Sequence, residues 1–248
     1  MIRLGQTSAA MLASCGIVIA LWVHEPVGQA QASVAGNARS AVGATYSPVL
    51  QEPLENNLYF GDLHLHTNLS PDAFLNGTRS VSPEDAYRFA MGETIEADNG
   101  SPARLRKPLD FIAITDHSEY LGVYPLLLEG DPRLSRWDIG KRWAQMLRDD
   151  NRRDLILDFA KAIQSDDKTY DVPAELVGSI WQGVAERADR FNRPGRFTAL
   201  IGYEWTSMIN GDNLHRVVLF RGDAEDTTKV VPFTAQDSTD PEDLWNAL

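Results

Sequence analysis

The stretch from Gly61 to Leu69, GDLHLHTNL, constrains this chain more than any other. It follows the apolar pair Tyr59-Phe60 and reads as the end of a β-strand. Side chains along a strand alternate faces, so Asp62, His64 and His66 point one way and Leu63 and Leu65 the other. Two imidazoles spaced in this way converge on one point, where they can hold one cation. Asp62, one repeat back, is expected to orient His64 from behind. The bland alternative is chance proximity, and the histidine census argues against it. Of the 5 histidines, His24 lies in the leader. His64, His66, His117 and His215 each fall at a strand end or start, beside a polar or acidic neighbour.

Residues 1–32 read as a secretory signal. Arg3 supplies the positive start, Ala9 to Val23 form an apolar run broken only by Ser14 and Gly16, and Ala30-Gln31-Ala32 offers a small-x-small cleavage pattern. The run is shorter than the ~20 residues of a membrane helix. Leu12-Ala13-Ser14-Cys15 resembles a bacterial lipobox, which makes a lipoprotein the lesser alternative, since most of the apolar run follows Cys15. Periplasmic or secreted localisation is therefore expected. Cys15 is the only cysteine, so the exported protein has neither disulfides nor thiolate ligands, and any metal site must use histidine and carboxylate. The net charge of −12 survives cleavage, because Arg3 and Glu25 cancel. So acidic a chain is a poor partner for nucleic acid or anionic lipid. Residues 33–57, rich in Ala, Ser, Gly, Pro and Asn, read as a flexible lead-in.

Beyond the first strand, Ser70-Pro71-Asp72-Ala73 reads as a loop that folds over the strand end and brings Asp72 to the histidine pair. Ser82-Pro83-Glu84-Asp85 starts a helix, with Ser82 as its cap and Ala86, Phe89 and Ala90 as its apolar face. Leu109 to Ile114 is a buried strand ending in Thr115-Asp116-His117, which repeats the logic of the first. Residues 121–195 read as a helical insertion. Its clearest helix runs from Pro173 to Phe191, with Leu176, Val177, Ile180, Trp181, Val184, Ala185 and Ala188 on one face. A third strand spans Phe197 to Trp205, with Leu200, Gly202 and Glu204 on one face. A glutamate in so apolar a strand is costly unless paired, and a metal supplies the pairing. Only Thr206 to Asn213 separate it from a strand at His215 to Phe220. That is too short for a parallel crossover, so the two strands form an antiparallel hairpin that brings His215 to the rim of Glu204.

In order and wording, the HLHT motif with Asp72, the TDH and GYE triplets and His215 resemble the PHP (polymerase and histidinol phosphatase) superfamily. The strings YFGDLHLHTNLSPDA, SPEDAYRFAMG and FIAITDHSEYLG look like an exported bacterial branch of it, catalogued only as a domain of unknown function. The resemblance runs from about Asn57 to Leu248. It implies an α/β fold, a distorted (β/α)7 barrel, with two to three divalent ions, manganese, iron or zinc. His64 and His66 would hold a first metal, bridged by Glu204 to another. Asp72, where many relatives have histidine, and His117 would hold a second, and His215 with Glu204 a third. Glu204, His117 and Asp116 would belong to the catalytic machinery. Such domains close with a further histidine and an Asp-x-His pair, and no histidine follows His215. Residues 58–248 are thus expected to be the first part of an incomplete barrel.

The expected function is metal-dependent hydrolysis of a small-molecule phosphoester or related ester through a metal-bridging hydroxide. The alternatives are an amidohydrolase-type enzyme, disfavoured because no lysine sits at a strand end, and a non-catalytic exported metal-binding or interaction protein.

Overall fold

The computed structural model describes residues 57–248. The expected signal, the lipobox cysteine and all but the last residue of the lead-in lie outside that range. Strand β1 (Gly61–Leu65) is followed by helices α1 (Pro71–Leu75) and α2 (Pro83–Ala90). The short strands β2 (Ile95–Glu96) and β3 (Pro102–Ala103) pair with each other in a separate ribbon. Strand β4 (Phe111–Ile114) leads into helices α3 (Val123–Glu129), α4 (Asp138–Arg148), α5 (Arg152–Ile163) and α6 (Ala174–Phe191). The chain then forms strands β5 (Thr198–Ile209) and β6 (Asp212–Phe220) and ends with helices α7 (Ala224–Thr227) and α8 (Pro241–Ala247).

The main sheet has the order β1-β4-β5-β6. The first three strands run parallel, and β6 returns antiparallel to β5. The sheet curls into half a barrel, so the expected (β/α)7 barrel is present only in this coarser form: a mixed α/β fold without a complete barrel. The carboxyl ends of β1, β4 and β5 and the start of β6 share one rim. Parallel neighbours expose their ends together, which is why α/β sheets carry ligands there.

Helices α2 and α6 cover one face of the sheet. Ala86, Tyr87 and Ala90 of α2 and Trp181, Val184, Ala185 and Ala188 of α6 pack on Ile112, Ile114, Ala199, Ile201 and Tyr203. Helix α2 starts as its sequence dictates. The Ser82 side chain accepts the Asp85 N–H, the Asp85 side chain returns the bond to the Ser82 backbone, and Pro83 occupies the first turn. Tyr87, rather than the half-buried Phe89, carries much of its buried face. Between β4 and β5 the helices build a second core around Phe74, Tyr124, Trp143, Leu155 and Leu176. There Tyr124 stacks on Phe74 at 5.6 Å and on Trp143 at 5.5 Å between ring centroids.

Three local expectations are corrected. The β5–β6 hairpin is antiparallel as expected, but its strands run longer, to Ile209 and from Asp212. They are joined by Asn210-Gly211, whose φ values of 54° and 88° are those of a tight hairpin turn. Asp72 lies in the first turn of α1 rather than in a loop, because Ser70-Pro71 presets a helix start. Finally, Asp62 does not orient the His64 ring. Asp62 pairs with Ile112 and Leu65 with Ile114, so β1 uses three residues where β4 uses two. This irregularity breaks the alternation that would have aligned Asp62 with the histidines, and its carboxylate instead accepts the His64 backbone N–H at 2.9 Å.

Candidate metal centre

Glu204 is the centre of the rim. Beyond Ile114 the β4 chain stays paired to β5: Glu204 N–H donates to the Asp116 carbonyl and Ser118 N–H to the Glu204 carbonyl. His117 and Glu204 are therefore in register across parallel neighbours. On the other side Glu204 pairs with Val217 and Thr206 with His215, one side-chain repeat along the same face. From β1 the chain brings His64 and, just past the strand end, His66. The result is one buried carboxylate ringed by imidazoles. His64 Nε2 lies 3.1 Å and His215 Nδ1 3.4 Å from Oε1. His66 Nε2 lies 2.8 Å and His117 Nδ1 3.4 Å from Oε2.

Close packing at the sheet makes this possible. A Cβ on Gly202, the residue below Glu204 on the same face, would lie 2.7 Å from the Val218 carbonyl and 3.4 Å from Thr115 Cγ2. Asp72 reaches the cluster from α1, with Oδ1 3.0 Å from His66 Nδ1 and Oδ2 3.7 Å from His117 Nε2. Ser70 holds it there. Its hydroxyl donates to Asp72 and accepts the His117 N–H at 3.1 Å.

Three overlapping groups result: His64, His66 and Glu204; His66, Asp72 and His117; and His117, Glu204 and His215. Within each, one donor atom per residue lies within 4.8 Å of the others. Donors bound about 2.0–2.2 Å from one tetrahedral ion are roughly 3–3.5 Å apart, so the arrangement needs little adjustment to accept ions. Nitrogen and oxygen donors without thiolate suit zinc, manganese or iron. The chemistry of the donors also fits. His66 Nε2 is buried 2.8 Å from Glu204 Oε2, and among the described residues no acceptor meets it in good hydrogen-bond alignment. The two atoms are close but off the line a hydrogen bond requires, as donors to a shared cation would be. The floor of the site is closed and its mouth is open: the Glu204 side chain is 2 % exposed, those of His64 and His215 47 % and 40 %.

The electrostatics are conflicted in the way a cation would resolve. Burial disfavours charge on His66, but Asp72 and Glu204 outweigh it and raise its pKa to about 10. Burial dominates at His117, 4.7 Å away between ring centroids, and holds it down at about 4. Burial also opposes ionisation of Glu204, yet the surrounding imidazoles bring its carboxyl down to about 2. Asp72 is likewise held below the usual carboxylate range by His66 and His117, against the effect of burial.

All six residues singled out as ligands (His64, His66, Asp72, His117, Glu204 and His215) are thus brought to one rim. Asp116 is placed differently. Its buried carboxylate accepts both the N–H and the hydroxyl of Thr67, tying the chain after His66 to the end of β4. Burial raises it to about 6 despite those bonds. Three contributors were not found by reading the sequence: Ser70, Thr206 and Glu119. Thr206 places its hydroxyl 2.7 Å from His117 Nδ1 and 3.1 Å from His215 Nδ1. Glu119 is buried beside them, and burial pushes its carboxyl up to about 8 against the donors that surround it. The available signal was spacing, since Glu119 lies two residues past His117 and Thr206 two past Glu204.

Fold and site together define a mixed α/β half-barrel whose strand ends carry a candidate site for more than one metal ion. The chain belongs to the family described as "Protein of unknown function (DUF3604)", whose model matches residues 53–248. No curated protein and no solved structure matches it.

Proposed function

We propose that this chain carries the metal-binding part of a hydrolase that acts on a phosphoester or related ester of a small molecule. The observation that supports this best is the buried Glu204 carboxylate ringed by four imidazoles, whose nitrogens lie 2.8–3.4 Å from its oxygens. Bound divalent ions supply Lewis-acid activation of water and of the ester oxygens. The residues do the rest. Glu204 belongs to two of the three ligand groups and would contribute to an ion held by either, while His117 stands between the second group and the third. Asp116 and Ser70 act indirectly, by fixing the chain after His66 and the carboxylate of Asp72. Two acidic ligands leave two or three dications with excess positive charge, and that favours an anionic substrate over a neutral one. The order of the HLHT, TDH and GYE motifs and the resemblance to PHP enzymes support the same reading, as does the expectation of export.

The test is metal analysis of the full-length protein, followed by chelation and activity against phosphomonoesters, phosphodiesters and carboxylic esters. The expected result is two to three manganese, iron or zinc ions per chain and an ester hydrolysis abolished by chelator and restored by metal. Metal binding without hydrolysis of any ester would favour the non-catalytic alternative. A protein that binds no metal would overturn the site assignment.

A further inference from the structure

Glu119 borders the centre but belongs to none of its three ligand groups. It is 1 % exposed. Its Oε1 accepts the backbone N–H of Thr206 at 3.1 Å and of Ala235 at 3.0 Å, and the Ser118 hydroxyl at 3.3 Å. Its Oε2 is buried, has no hydrogen-bond partner and lies 3.9 Å from His117 Nδ1. The Thr206 whose N–H it holds contacts that same nitrogen through its hydroxyl at 2.7 Å, inside the 3.4 Å at which Glu204 Oε2 also lies from it. The opposite nitrogen, His117 Nε2, faces Asp72 across 3.7 Å.

A structural role needs only Oε1, since a neutral amide oxygen would accept the same donors. A bare buried oxygen costs about 1–3 kcal/mol, so Oε2 calls for a return elsewhere. The place to find it is His117. A histidine that binds a cation through Nε2 carries an Nδ1–H with added positive charge. An acceptor held at that N–H, here the Thr206 hydroxyl that Glu119 seats through the Thr206 backbone, fixes the ring and makes Nε2 a better ligand.

We propose that Glu119 is a positioning residue of the metal centre. It faces His117 Nδ1 and, by gripping the backbone of Thr206, seats the hydroxyl that holds the ring with Nε2 toward Asp72 and His66. The inference rests on the metal-centre reading, but it assigns a nitrogen and a supporting residue that the ligand set leaves open.

The test compares zinc binding by the full-length protein with that of Glu119→Gln, Thr206→Val and Thr206→Ser, together with nuclear magnetic resonance of the His117 ring in the zinc-loaded wild type. Glu119→Gln keeps the acceptor for Thr206 and Ala235 but puts an amide NH2, a donor, where Oε2 faces His117 Nδ1. Thr206→Val keeps the N–H that Glu119 holds but loses the hydroxyl. We expect a slowly exchanging Nδ1–H on His117 and zinc affinity lowered roughly 10–100-fold in Glu119→Gln and in Thr206→Val. Thr206→Ser should restore wild-type affinity, and the melting temperature of the metal-free Glu119→Gln protein should stay near that of wild type. Wild-type affinity in both weakened variants would overturn the proposal, as would zinc bound through His117 Nδ1. If Glu119→Gln fails to fold, the wild-type ring signal and the Thr206 pair decide. Absence of zinc binding in the wild type would instead bring down the metal reading, and this proposal with it.

Discussion

Replacing Glu204 with glutamine is the sharpest perturbation the centre offers. The substitution keeps the volume and removes the charge. In the metal-free protein, the fall of the Glu204 carboxyl from 4.5 to about 2 corresponds to about 3 kcal/mol of preference for the ionised form. That interaction is lost in the variant. The sign is that of a depressed acid: the wild type has the benefit above its ordinary pKa and loses it as pH falls from 4.5 toward 2. In the metal-loaded protein the effect is larger and more specific. Glu204 belongs to the first and third ligand groups and is absent from the second. Loss of a ligand or its support costs about 10–100-fold in affinity, and a bridging carboxylate should lie at or beyond the upper end. Calorimetric titration with manganese or zinc should therefore show one tight site remaining, built from His66, Asp72 and His117. Ester hydrolysis should fall at least 100-fold. Glu175→Gln, on the exposed side of α6, is the control and should be nearly silent. Unchanged metal stoichiometry and full activity in Glu204→Gln would refute the reasoning and make Glu204 a structural acid.

Three further outcomes are expected. His117 is buried with its pKa lowered from 6.5 to about 4, so it favours the neutral ring: stability is present above 6.5 and is lost as pH falls toward 4. Buried Asp116 and Glu119, raised to about 6 and about 8, act in the opposite sense over the same range. The check is therefore a difference: as pH falls from 6.5 to about 4, the melting temperature of the metal-free wild type should fall relative to that of His117→Gln. Gly61→Ala should destabilise by about 1–3 kcal/mol in chemical denaturation, because the added Cβ would lie 2.3 Å from both the Phe111 ring and its carbonyl oxygen. A denaturation midpoint equal to wild type would show that β1 can shift away from β4 at no cost. Mass spectrometry of the exported protein should find Ser33 at the new N-terminus, whereas a lipid on Cys15 would establish the lipoprotein alternative.

Much of the ligand set was legible from the sequence because it follows local rules. His64 and His66 are two residues apart at a strand exit, and His117 follows an apolar strand. Glu204 ends the apolar part of another strand, and β5 and β6 are too close in sequence to be parallel. The cap of α2 and the buried stripe of α6 were equally local. Asn210-Gly211 is local as well: the pair marks a tight hairpin turn by its own chemistry and so fixes where β5 ends and β6 begins.

What the tertiary structure alone decided depends on register between distant segments. The irregularity in β1 arises from its pairing with β4, nearly fifty residues on in sequence, and it turned Asp62 from a partner of the His64 ring into a partner of the backbone. Asp116 could be seen beside His117, but not that it would spend both oxygens on Thr67. Glu119, Thr206 and Ser70 are ordinary polar residues in sequence. They acquire a role only when Glu119 meets the N–H groups of Thr206 and Ala235, and Ser70 meets His117. The physical reason is one of range. Side-chain alternation and helix caps are set by neighbours within a few residues, so a sequence carries them openly. The partner of a buried polar atom is set by which strands pair and in what register, and between strands that no tight turn joins, such as β1 and β4, no local pattern fixes that register.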